Sequence, residues 1–179
     1  MSAPVQPRIE VRLRELAQLF NGMDPSPFYE RDLDAAAEEF IVSWAQELPR
    51  ESPLELVIHL ATLPPPDRAQ GTEEAVRHYF ANRADLKRRE LRHLLRLGRA
   101  SLFIGFGFLA VCYALSLVAR QVLPVAWSEF GDIGLQIVGW VAMWRPLEIF
   151  LYDWWPIRND RLLLERLARM PVRLVTPAA

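Results

Sequence analysis

A single cysteine in 179 residues leaves no intrachain disulfide to form, which excludes a disulfide scaffold. The three histidines, His59, His78 and His93, lie far apart and no two have metal-ligand spacing. With Cys112 as the sole thiol, a zinc site lacks donors. Lysine is nearly missing: Lys87 stands alone against twenty arginines, a bias that suggests a GC-rich bacterial coding sequence. Neither charge is in excess, because 21 Lys and Arg face 22 Asp and Glu. The chain therefore lacks the basic surplus of a nucleic-acid-binding protein. No glycine-rich phosphate loop follows a strand, since Gly105-x-Gly107 lies inside an apolar run. No Gly-x-Ser-x-Gly elbow or serine–histidine–acid set stands out. No catalytic residue, metal or cofactor is expected, and the chain is not read as an enzyme.

What the chain does have is a long uncharged run, ASLFIGFGFLAVCYALSLVA, at 100–119. At about 1.5 Å per residue it reaches about 30 Å, the thickness of a bilayer's hydrocarbon core. In hydrocarbon the backbone must satisfy its own hydrogen bonds, so this span is helical despite its glycines, with Cys112 packed mid-span. Nearly a hundred residues precede the run, so it is not read as a signal peptide. A second apolar stretch, 133–144, meets Arg145, Pro146 and Glu148 before Ile149–Tyr152. The reading is a second crossing at about 133–155, kinked by Pro146. In it Arg145 and Glu148 pair as helix neighbours, about 15 Å below Trp155 and near mid-depth. Tyr152, Trp154 and Trp155 form an interfacial aromatic belt, and Pro156 ends the helix. Trp140 and Trp144 would pack on the first span, where Ala110-x-x-x-Ala114 offers a small-residue surface.

Arginine placement supplies an orientation. Arg88, Arg89, Arg92, Arg96 and Arg99 precede the first span, and Arg158, Arg161, Arg166, Arg169 and Arg173 follow the second. The connecting loop, 120–132, holds only Arg120, beside Glu129 and Asp132. The positive-inside rule then predicts a multi-pass protein of the bacterial inner membrane with both termini cytoplasmic. The five arginines at 88–99 would contact anionic lipid headgroups, each contributing about 1 kcal/mol.

The N-terminal part reads as a small α/β domain. Residues 8–13 alternate as a half-buried strand, and 54–61 alternate more clearly. Between them, Asp24-Pro25-Ser26-Pro27 is a turn, and Asp34 is a helix N-cap. The helix at about 35–48 aligns Ala37, Phe40, Ile41, Trp44, Ala45 and Leu48 as a core stripe. Glu30, Asp32, Asp34, Glu38 and Glu39 are explained by capping and solvation. A long helix opening near Thr72 shows heptad-like spacing through Phe80, Ala84, Lys87, Leu91, Leu94 and Gly98. It is expected to run unbroken into the first span as a stalk. The expected organisation is an α/β domain at 1–82, a basic stalk at 83–99, a two-helix transmembrane hairpin at 100–156 and a basic tail at 157–179. The fold class is thus α+β with a membrane part, a β-α-β-α domain followed by the hairpin. Two strands are too few for an independent sheet, so completion by self-association or a protein partner is expected.

Two stretches, DPSPFYERDLDAAAEEFIVSWA at 24–45 and GWVAMWRPLEIFLYDWWPI at 139–157, carry a resemblance. They are similar to DPSPF-x-ERDLD and WRP-x-EIFLYDWWPI motifs of an uncharacterised family of small bacterial two-span membrane proteins. The resemblance implies topology and no activity. The resulting expectation is a non-enzymatic integral membrane protein displaying a cytoplasmic interaction or self-association domain. The alternative is a subunit of an oligomeric channel or transporter with Arg145 and Glu148 lining its pathway.

Overall fold

The structure, a computed structural model, describes residues 8–49, 52–62, 64–122 and 124–176. The first seven residues, Arg50, Glu51 and Leu63 of the expected N-terminal domain, Leu123 of the expected loop and the last three residues of the expected tail lie outside the described residues. The chain divides into two compact units, a sheet unit of Met1–Lys87 with Asn159–Ala179 and a helical unit of Arg88–Arg158.

The sheet unit holds three strands, β1 (Arg8–Leu13), β2 (Glu55–Leu60) and β3 (Val172–Val175), all parallel in the order β1-β2-β3. Helix α1 (Ala35–Glu47) links β1 to β2, and its N-cap Asp34 accepts a hydrogen bond from the Ala36 N–H at 3.0 Å. Between β2 and β3 run α2 (Pro66–Val122), α3 (Val125–Ala142), α4 (Trp144–Glu148), a π-helical turn (Ile149–Asp153) and α5 (Trp154–Leu167). Right-handed crossovers that always step the same way along a sheet put every connecting helix on one face. The core obeys this: Ile9, Val11, Leu56, Ile58 and Leu60 of the strands pack with Ile41 and Ala45 of α1, Val76 and Phe80 of α2, and Leu164 and Leu167 of α5. Phe40 and Trp44, expected in the α1 stripe, are instead exposed, so that helix buries a narrower edge than its periodicity suggested.

Two expectations about this unit are corrected. Its sheet has a third strand, taken from the segment read as a basic tail, and the register Leu56↔Val172 and Ile58↔Leu174 completes the core row. The unit is therefore discontinuous in sequence, whereas a continuous domain was expected. Four residues of Val-Arg-Leu-Val carry little strand signal alone; pairing with β2 creates the strand.

The helical unit corrects the expected fold class. Only α2 is long and apolar enough to cross a membrane among the described residues, so the two-helix transmembrane hairpin is not present. The stretch expected as a second span is divided among α3, α4, the π turn and the start of α5. The break falls at Met143, between α3 and α4. Pro146 accounts for it, because its missing N–H leaves the Ala142 carbonyl without an i+4 partner. Helix α3 also carries Glu129 and Asp132, and it takes up much of the segment expected as a loop.

Within the unit, α2 runs antiparallel to α3 and α4 through small residues. A Cβ on Gly98 would lie 2.7 Å from Ile149 Cγ2, one on Gly105 3.2 Å from the Ala142 carbonyl, and one on Gly139 2.7 Å from Leu109 Cδ1. The buried residues Leu91, Gly98, Gly105 and Cys112 recur every seven positions along α2, and Asp132, Gly139 and Pro146 do so opposite. A strict seven-residue repeat keeps one seam facing its partner. Close approach uses these glycines; Ala110 and Ala114 are exposed, as are Trp140 and Trp144.

Candidate functional site

On the second face of the sheet, opposite the core, no described helix packs. Its side chains form three rows set by the register: Arg8 and Glu55; Glu10, Val57 and Arg173; Arg12, His59 and Val175. Glu55, on the central strand, is only 3% exposed because two arginines close over it. Arg8 Nε donates to Glu55 Oε2 at 3.0 Å, and Arg173 Nε lies 2.7 Å from Glu55 Oε1. Val57 beside it is sheltered, and His59 Nε2 sits 3.6 Å from Glu10 Oε2. Both outer strands, β1 and β3, have free edges among the described residues. Parallel sheets are almost always covered on both faces, so this bare face is the unusual feature of the unit.

The first motif is a frame for that unit. Asp24 closes its loop by accepting from the backbone N–H of Ser26 at 2.9 Å and of Asp32 at 2.8 Å. These bonds, the one from Asp32 foremost, hold its carboxyl down at about 2. Glu38 accepts from the Tyr79 hydroxyl at 2.6 Å and from Arg83 Nε at 2.9 Å, tying α1 to α2. Burial, followed by the Glu38 carboxylate, pushes the Tyr79 hydroxyl well above its ordinary range. Of the acidic cluster, Asp34 caps and Glu38 ties, which are structural duties.

The second motif builds a polar set in the helical unit. Arg145 Nη1 lies 3.2 Å from Glu148 Oε2 and 3.5 Å from Asp153 Oδ2, and Trp144 Nε1 donates to Glu148 Oε1 at 3.0 Å. In a regular helix the residue sharing Arg145's face one turn beyond Glu148 would be seven positions on. The π turn inserts one residue, so Asp153, eight positions on, takes that place. Sequence periodicity could not reveal Asp153 because it assumes an unbroken helix. The contacts of Gly98 with Ile149 and of Gly105 with Met143 bracket Arg145, which puts it beside the first turn of the apolar run.

A second polar set is not foreshadowed by the sequence reading. Asp132 of α3 accepts from the Ser116 hydroxyl and from Arg120 Nη2, both on α2. Residues read as parts of separate segments thus form one clamp across the antiparallel helices. A Ser and an Arg four apart on a helix share a face, which is the signal that could have located it.

The remaining expected site residues do not converge. Arg88, Arg89, Arg92, Arg96 and Arg99 are exposed along α2, and the first, third, fourth and fifth share a face. Tyr152 and Trp155 are exposed. Trp154 turns inward, with Nε1 donating to the Phe150 carbonyl at 2.8 Å and Arg158 5.7 Å from its ring centroid. No group of three metal-ligating side chains gathers among the described residues. Comparison with family models, curated proteins and solved structures finds no match to this chain.

Proposed function

We propose that this chain is a non-enzymatic membrane protein whose sheet unit serves as a protein-interaction module. The observation that carries the reading is the bare face of a parallel sheet lying between two free edges. A face of this kind is normally covered, and edge strands offer unpaired backbone donors and acceptors to another chain. Membrane association rests on α2, whose apolar stretch is long enough to cross and leaves large side chains such as Phe103 and Ile104 uncovered. The exposed arginines from Arg88 to Arg99 border that stretch, where anionic headgroups are their natural partners.

Two measurements test the reading. Membranes containing the protein are washed in alkaline carbonate and floated; the chain stays with the lipid, and release into the wash would overturn membrane embedding. The particle is then solubilised and its mass taken. The native protein carries at least one further polypeptide, and Val57→Arg, at the centre of the bare face, loses it while keeping its thermal unfolding. A native particle containing one chain only would sink the interaction module.

A further inference from the structure

We infer that a second copy of this chain covers the bare face of the sheet, forming a two-fold dimer with its axis parallel to the strands. This inference rests on the proposed interaction module and names its partner. The charge pattern that the register writes on the face supports it. In the middle row, Glu10 and Arg173 flank Val57 on opposite outer strands, so the row reads negative, apolar, positive. Turning a second sheet over this one about an axis along β2 exchanges left and right but preserves the level. Glu10 of each copy then faces Arg173 of the other, and the two Val57 side chains meet at the axis. The contact is isologous, as closed dimers require. Were the row positive at both ends, the same rotation would oppose like charges.

Neighbouring rows agree. Arg12 comes opposite Val175, so its stem covers an apolar side chain while its guanidinium reaches the rim. Glu55 is already neutralised within each copy by Arg8 and Arg173, so it enters the interface without stranded charge. Arg173 contacts Glu55 through Nε and its side chain is otherwise 67% exposed, which leaves its terminal nitrogens for Glu10 of the second copy. Glu10 is about half exposed, with its Oε2 3.6 Å from His59 Nε2. Both charges are therefore accessible at matching levels on opposite sides of an apolar centre. A protein of net positive charge would meet Arg8, Arg12 and Arg173 unfavourably, and a strongly negative one would meet Glu10; a copy of the same face meets neither problem.

The test uses full-length chains in lipid nanodiscs, labelled with donor or acceptor dyes, with dimerisation read by energy transfer. Glu10→Arg sets the introduced guanidinium against Arg173 of the other copy. Arg173→Glu likewise sets the introduced carboxylate against Glu10, so each variant alone weakens pairing about tenfold or more. Mixed together, the two variants dimerise as the native chain does, because the introduced guanidinium faces the introduced carboxylate on one side of the interface and the native Arg173 faces the native Glu10 on the other. Because Arg173→Glu also alters the surroundings of Glu55, a second pair leaves those contacts intact. Val175→Arg opposes Arg12 and weakens pairing, and adding Arg12→Glu to it restores pairing. Dimerisation indifferent to all four changes would mean another surface joins the copies, which overturns this inference and leaves an interaction module standing. A monomeric native chain also overturns it. A solubilised particle whose further polypeptide is a different protein lost with Val57→Arg would overturn it too, with the module retained.

Discussion

The two units of this molecule are packed by opposite rules. The sheet unit buries its large side chains, among them Phe80, Ile58 and Leu60, and presents arginines and carboxylates outside. The helical unit buries glycine, cysteine, serine and an aspartate along its seam and turns Phe103, Ile104, Phe130 and Trp144 outward. Water explains the first arrangement, since burying apolar area contributes about 25 cal/mol per Å². It cannot explain the second. In an apolar medium large side chains gain nothing from burial, and close backbone approach through small residues becomes the better way to join helices. The packing of the helical unit is thus the kind that the proposed membrane embedding favours.

Substitutions break that contrast in order of expected size. Phe80→Ala opens a cavity in the sheet unit and should cost about 3–5 kcal/mol of its stability by denaturant unfolding. Phe103→Ala removes the same ring from a site 77% exposed and should change unfolding in detergent by less than about 0.5 kcal/mol. Equal losses at the two positions would erase the distinction between the units. Gly139→Leu forces a branched side chain into the space held by Leu109, an overpacking cost of about 1–3 kcal/mol, whereas Gly134→Leu, which meets open space, should cost far less.

Smaller effects sharpen the picture at the polar sets. Arg145→Leu leaves both Glu148 and Asp153 without their cation, while Glu148→Gln leaves Arg145 with Asp153. The arginine change should therefore lower thermal stability in lipid more than the glutamate change, and the reverse order would show that Asp153 is not its partner. Asp24 supplies a pH effect confined to the sheet unit. Its carboxyl falls from 3.8 to about 2 on folding, so its contribution is complete above the unfolded value and is lost as pH drops toward 2. Asp24→Asn should flatten that part of the pH–stability profile; an unchanged profile would place the acid sensitivity elsewhere.

Strands β1 and β2 are legible in the sequence because alternation reports a half-buried strand directly, and Asp34 is legible because a cap is local chemistry. The charge pair of Arg145 and Glu148 is legible for the same reason, three positions apart on a helix. Asp153 is hidden, since the π turn that brings it to Arg145 is decided by packing around Ile149 and not by any periodicity. The Ser116–Arg120–Asp132 clamp is hidden because it joins two helices. The expected second span joins twelve uncharged residues to those beyond Pro146, while the structure ends the helix before that proline.

Sequence alone determined strands β1 and β2 and helix α1, where the apolar run lies and which arginines border it, because those properties depend on neighbours within a few positions. Tertiary structure decided that Val172–Val175 is a strand and that no described helix covers one face of the sheet. It also decided that glycines rather than alanines form the helix seam. Each of these follows from contacts between residues distant in the chain, whose free energy no local pattern carries.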